Sequence, residues 1–460
     1  MLIIHTSTAV YEANVRYYHN NYVHIYTDYP CESELIPSCV VFKIGPLFGT
    51  PASKSSMAES RHFPNPYPPT LQGERAKILD DSKNQLSEEY IANSRRTVQN
   101  LLKVLDAEEK RSLDWGDVSV YTGVSGYVLL YLHLADVLDD DRYIQKALPL
   151  IEKAITKIKG RRVSFVCGDP GPLTLGAILY HRLNMTSQVP ACIEGVKKMK
   201  RDILNPKSDV PDEILYGRAG YLYALLLIQQ KIGKAEIDDT LVRAVVSAIL
   251  DSGRALSLKE KRSVPLMYQW HEKHYIGAAH GIIGILFMLL QAKEHLTSAE
   301  LHELVKPTID YVAKLQFPSG NLPSSLSNES DRLIHWCHGA PGAVFLFAKA
   351  YQVFNERSYL EHALKAGESI WERGLLKKGY GLCHGSSGNG YALLYLYQVT
   401  GDSEMLYRAA QFGHWCQDYG KHGCRTPDRP MSLFEGLAGN IHFLADIAKP
   451  KNAKFPAFVL

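Results

Sequence analysis

The chain has 460 residues, of which 46% are hydrophobic, and a formal net charge of +3. That length and apolar content support a large buried core, while the near-balance of charge excludes the broad basic field of a nucleic-acid-binding protein. Eight cysteines are too few for a disulfide scaffold, which favours a reducing cytoplasm, with peripheral membrane or nuclear locations compatible. Residues 1–56 are Tyr-rich, lack an amphipathic period and a charged signal-type start, and end in the Pro/Ser-rich stretch 45–56. An irregular, disordered extension is expected there, with Met57 a candidate functional start. Residues 57–86 form an arm whose run 61–69 carries prolines at 64, 66, 68 and 69 and so reads as extended. Segments of this type fit aromatic grooves such as those of SH3-type signalling domains.

From about Ser87 a helical pattern takes over and defines the third region, 87–460. Gly-x-x-Gly recurs through it at Gly123/Gly126, Gly168/Gly171, Gly217/Gly220, Gly281/Gly284, Gly339/Gly342, Gly385/Gly388 and Gly436/Gly439. The spacing, about 50 residues, is that of a repeat architecture. Apolar runs follow the glycines, as at 127–134, 221–228, 285–290, 344–350 and 391–397, and alternate with amphipathic segments at 141–159, 241–258, 298–315 and 359–373. Nearly all-apolar helices alternating with amphipathic ones predict an inner ring inside an outer ring, an all-α α/α toroid with every Gly-x-x-Gly at one end. The longest apolar stretches, such as 219–228, are about half of the ~20 residues a membrane span requires, so no transmembrane segment is expected.

Two repeats carry Cys-His before the first glycine, Cys337-His338 and Cys383-His384. Thiolate and imidazole are zinc-ligand types, although duplication of a repeat alone also gives this pattern. Cys167, Cys192, Cys416 and Cys424 read as structural thiols outside the register.

These residues carry a resemblance. The strings Cys167-Gly-Asp-Pro-Gly-Pro172, His335-Trp-Cys-His-Gly-Ala-Pro-Gly342, Lys378-Gly-Tyr-Gly-Leu-Cys-His-Gly385, His422-Gly-Cys-Arg-Thr-Pro-Asp428 and Ser432-Leu-Phe-Glu-Gly436 make the chain, over 57–460, similar to the eukaryotic LanC-like proteins. These are relatives of the bacterial lanthionine synthetase C cyclases. The resemblance implies a toroid of seven inner and seven outer helices and a zinc ion on Cys337, Cys383 and His384. It also implies glutathione bound by Lys378, Arg425 and Arg61, with dehydroalanine- or dehydrobutyrine-containing proteins or peptides as acceptors of its thiol.

The chemistry is consistent with that implication. Two thiolates and one imidazole leave a tetrahedral zinc with an open position, the pattern of catalytic sites. Thiolate attack on a dehydroamino acid leaves a carbanion to be protonated. His280 precedes Gly281 as His384 precedes Gly385, so the repeat points it at the same centre, and it is the leading general acid. His338 shares the register and is the second candidate; for both, a satisfied core histidine is the plain alternative. Asp212 or Glu213, near where the bacterial enzymes have an aspartate, is placed to orient a histidine or to cap a helix. Arg218 and Asp169 are further candidates for the lining. The bacterial cyclases differ in having Tyr at the position of His338 and an Arg for which only Arg332 is a nearby match. An external thiol is therefore the expected nucleophile, with a signalling adaptor that binds zinc and glutathione, or a true lanthionine cyclase, as alternatives.

Overall fold

The computed structural model describes residues 60–460, apart from 68–71, 81, 83 and 161, together with four strands within 1–59. The chain divides into two units, Met1–Glu59 and Ser60–Leu460. In the first, Leu2–His5, Val10–His19, Tyr22–Tyr26 and Val40–Phe42 pair in sequence order as an antiparallel sheet. This corrects the irregular reading of 1–56 at those strands. A search for helical period does not register short runs of Val, Ile and Tyr, which favour a pleated backbone. The remainder of that segment lies outside the described residues.

The second unit opens on Arg61 and its neighbours, which pair with the segment 375–377. Phe63 N–H donates to Leu375 O at 2.8 Å and Lys377 N–H donates to Arg61 O at 3.0 Å. The extended arm is thus tied to the body by backbone bonds that its prolines, lying further on, do not interrupt. Ser87 caps the first long helix, Glu88–Ser112, by accepting from Tyr90 N–H. Its buried residues Tyr90, Ser94, Val98, Leu102 and Leu105 form one stripe at a spacing of three to four, as an outer helix requires.

Seven inner helices follow: Val124–Leu138, Pro170–Arg182, Arg218–Lys231, Ile282–Gln291, Ala340–Phe354, Ser386–Thr400 and Leu437–Asp446. Each packs on the next, and Leu437–Asp446 packs back on Val124–Leu138, so the ring closes. The outer helices are Glu88–Ser112, Arg142–Ile155, Val189–Lys198, Asp239–Lys259, Lys306–Lys314, Arg357–Arg373 and Ser403–Gln417. Glu88–Ser112, first in sequence, covers the last inner helix, Leu437–Asp446. The α/α toroid is therefore the observed fold. Phe455 and Phe458 of the final segment fill the middle of the ring against Trp336, Phe345 and Phe287. No described helix is long and apolar enough to cross a membrane.

The glycine repeat has a steric cause. A Cβ on the second glycine of each pair would strike the carbonyl of the residue six positions earlier, as at Gly126 with Val120, Gly284 with Ala278 and Gly388 with Leu382. The loop thus lies flat on the first turn of its own helix, which no larger residue permits. The first glycines 123, 217, 281, 339, 385 and 436 each stand immediately before an inner helix. The two residues before them are consequently held at the mouth of the ring.

Candidate active site

Loop backbones stitch this mouth together. Cys337 N–H donates to Cys383 O at 3.2 Å, Cys383 N–H to Phe434 O at 2.8 Å, and Phe434 N–H to Tyr121 O at 3.1 Å. Residues two before the first glycine are thereby brought side by side. A Cβ on Gly277 would collide with the carbonyl of Cys337, so that neighbouring loop also approaches as closely as backbone allows.

Cys337, Cys383 and His384 each present a ligand atom, and these atoms lie within 4.8 Å of one another. Both cysteines are buried, whereas His384 is half-buried. Burial, reinforced by the Cys337 thiol, pushes the Cys383 thiol well above its ordinary range, against an opposing influence of His384. Two adjacent buried sulfurs can be held as thiolates only with a cation between them. The donor set, two soft sulfurs and a nitrogen with one partly open side, fits zinc. Tyr121, which sequence reasoning did not single out, has its phenol raised well above the ordinary tyrosine range by burial and then by Cys383 and Cys337 beside it, and it stacks on Phe434 with ring centroids 4.8 Å apart. Its position two before Gly123, the register of Cys337 and Cys383, was the available signal.

His280 and Glu213 form a fixed pair. Glu213 is buried and accepts from Leu215 N–H at 2.9 Å and Tyr216 N–H at 2.6 Å. The same carboxylate meets His280 Nδ1 at 2.8 Å. As an acceptor it receives the hydrogen bond from Nδ1–H and leaves Nε2 as the nitrogen available for chemistry. Trp270 stacks on the imidazole at 4.0 Å and 9°, fixing the ring plane.

Asp212 separates from its neighbour. It pairs with Arg218 at 2.9 Å and accepts from Ser252 Oγ at 2.6 Å. Arg218 further donates to the carbonyls of Ile203 and Val210, so this buried pair holds loops together and Arg218 does not line the mouth with a free donor. His338 lies 5.7 Å from Tyr275 between ring centroids, and its buried Nδ1 has no hydrogen-bond partner. Burial, then the nearby His280 and Lys273, pull its imidazole down to about 4.

Three basic residues are brought to one rim by the segment 375–378. Arg61 O accepts from Lys377 N–H, and Arg425 N–H donates to Lys377 O at 2.8 Å. Lys378 and Arg61 both contribute to holding His335 well below the ordinary histidine range, after burial and His384. Lys378 is exposed. The Arg425 guanidinium meets Asp428 at 3.2 Å, with both side chains largely in solvent.

Cys167 requires a correction. It immediately precedes Gly168 and therefore shares the register of His280, His338 and His384. Its buried thiol is pushed up by burial and then by Glu213. It lines, with Asp169, Tyr121 and Arg162, a cavity of about 350 Å³ beside the mouth.

The sequence profile described as "Lanthionine synthetase C-like protein" matches residues 114–460. The zebrafish (Danio rerio) protein named Glutathione S-transferase LANCL1 is 43% identical over 404 residues, covering 87% of this chain and 100% of that relative. Among solved structures, Nisin cyclase superposes with a TM-score of 0.61 at 18% identity, covering 78% of this chain and 95% of its own. That likeness concerns the fold.

Proposed function

The chain belongs to the lanthionine synthetase C-like family, and from that premise we propose that it is a zinc-dependent glutathione transferase acting on dehydroalanine and dehydrobutyrine residues. The observation that carries this reading is the Cys337–Cys383–His384 donor set, supported by the Glu213–His280 pair, whose histidine precedes the inner helix that packs on the one Cys337 precedes. The relative's name, Glutathione S-transferase, supports glutathione as the thiol donor.

Cys337, Cys383 and His384 would hold the zinc. Once bound, it supplies a Lewis acid that favours the thiolate form of glutathione at neutral pH. Arg61, Lys378 and Arg425 offer cations to the two carboxylates of the tripeptide. Arg425 is released from Asp428 at little cost, because an exposed ion pair contributes only ~0–1 kcal/mol. When the thiolate adds to the β-carbon, a C–S bond forms and the alkene electron pair moves to the α-carbon and its carbonyl. His280 takes up at Nε2 the proton that the glutathione thiol loses, Glu213 steadies the resulting cationic imidazole from Nδ1, and Nε2 then delivers that proton to the α-carbon. Trp270 excludes water from one face of that ring.

Incubation with glutathione and a peptide that carries both a dehydroalanine and a cysteine tests the reading by mass spectrometry. A gain of one glutathione per dehydro residue, above the rate without protein, is expected. Loss of the peptide's own free thiol without mass gain identifies a cyclase, and an unaltered peptide identifies a non-catalytic binder; either result overturns the proposal.

A further inference from the structure

The arm and the loop that bear two of the rim's cations share one aromatic side chain. Trp415 is buried in the last turn of the outer helix Ser403–Gln417. Phe63 of the arm packs on it with ring centroids 5.3 Å apart and planes tilted by 46°. His422 stacks on the same indole at 3.4 Å and 9°. Phe63 stands two residues after Arg61, and His422 three before Arg425.

Each contact bears on a guanidinium. Arg61 and Phe63 flank His62, which pairs with Leu376 in an antiparallel bridge, and alternate residues of an extended segment point to one side. Seating Phe63 on Trp415 therefore also sets the side on which Arg61 leaves the arm. His422 lies between Gly420 and Gly423, both left-handed at φ 82° and 70°. A Cβ at either would meet nothing within 4 Å among the described residues, so packing does not confine this backbone and glycine leaves it many conformations. The His422 ring confines it instead. Beyond its stack on Trp415, its Nδ1 meets the Tyr380 hydroxyl at 2.8 Å, and Tyr380 is two residues after Lys378, the third cation.

Trp415 also carries a penalty. Its Nε1 is buried without a hydrogen-bond partner among the described residues, an unfavourable state that phenylalanine in the same niche avoids. The wider indole face is what phenylalanine lacks, and that face meets rings from both parts of the rim.

We propose that Trp415 is a positioning residue of the glutathione site: by holding Phe63 and His422 it sets the separation of Arg61 and Arg425, and so selects a thiol that carries two carboxylates. This rests on the transferase reading and its assignment of the rim cations. Both arginines are exposed, and two charge-assisted pairs form on one small ligand without further loss of freedom only where the backbones bearing them are already fixed. A thiol without carboxylates gains nothing from that spacing.

Calorimetry with glutathione on the zinc-loaded full chain, with adduct rates for glutathione and for 2-mercaptoethanol as thiol donors, tests this. Trp415→Leu should weaken glutathione binding by at least ~5-fold and raise its KM while kcat holds. The ratio of kcat/KM for glutathione to that for 2-mercaptoethanol should fall by the same factor, which a smaller folded fraction does not alter. Added to Arg61→Ala with Arg425→Ala, Trp415→Leu should weaken glutathione by less than a further ~2-fold, because the groups it positions are gone. His422→Ala, at a half-buried loop position, gives the same readout should Trp415→Leu unfold, and should lower the same ratio. Glutathione affinity equal to that of the unaltered chain in His422→Ala or in folded Trp415→Leu, or full additivity with the arginine changes, overturns the inference and leaves the transferase reading intact. Absence of glutathione binding by the unaltered chain overturns that reading, and this inference with it.

Discussion

Glu213 and His280, 67 residues apart in sequence, meet at 2.8 Å across two adjacent repeats. Asp212, one residue earlier, is turned to Arg218 instead. The two acids therefore have separable roles. Glu213→Gln presents an amide N–H to Nδ1 and reverses the tautomer, so kcat for adduct formation should fall by at least ~10², as should that of His280→Asn. Metal content and glutathione affinity should not change. Asp212→Asn leaves Arg218 buried without its counter-charge and should cost ~3 kcal/mol or more of stability in urea unfolding, with kcat per folded molecule preserved. A normal kcat for both Glu213→Gln and His280→Asn removes the pair from the chemistry.

The sulfur-containing centre predicts a distinct metal loss. Cys383→Ala should bind one equivalent less zinc than the unaltered chain and should lose the thiolate charge-transfer band of the cobalt form. Tyr121→Phe, which deletes only the hydroxyl beside Cys383, should keep the metal. Unchanged zinc content in Cys383→Ala places the ion elsewhere.

Acid should act on the outer ring through Glu300. Its carboxylate accepts two bonds from Arg243, at 2.7 and 2.8 Å, which lower it from 4.5 to about 2. A depressed carboxylate contributes stability that is complete above 4.5 and is lost as pH falls towards 2. With Arg243 38% exposed, solvent screening reduces that contribution to ~1 kcal/mol. Glu300→Gln should therefore destabilise the chain by about that amount at pH 7 in urea unfolding. The difference should close near pH 2; a constant difference from pH 7 to pH 2 contradicts the assignment.

Much of the mouth was legible because one steric rule repeats. Wherever the second glycine must pass a carbonyl, the two residues before the first glycine are held at the mouth, so register alone points Cys337, Cys383, His384 and His280 to the same end of the ring. The same rule applied to every repeat also reaches Tyr121 and Cys167, whose register was overlooked for lack of a Cys-His pair. Asp212 and Glu213 could not be separated from sequence, since adjacent residues in a loop diverge according to which backbone amides meet them; here Leu215 and Tyr216 claim Glu213. The contact between the first and the last inner helix was invisible for another reason. Ring closure creates it, and local pattern does not encode it.

Arg425 offers the last test, because its present partner is a rival to glutathione. The guanidinium meets Asp428 at 3.2 Å, with side-chain exposures of 66% and 83%, so the pair is screened and readily exchanged for a ligand carboxylate. Arg425→Ala removes a charge-assisted contact and should weaken glutathione binding by ~1.5–3 kcal/mol, roughly 10- to 100-fold. Asp428→Asn removes only the competitor, so affinity should tighten by less than ~5-fold, the scale of an exposed pair. Zinc content should be the same in both variants. Calorimetry that shows equal glutathione affinity for Arg425→Ala and the unaltered chain assigns the guanidinium to its loop and leaves Lys378 and Arg61 as the cations of the rim.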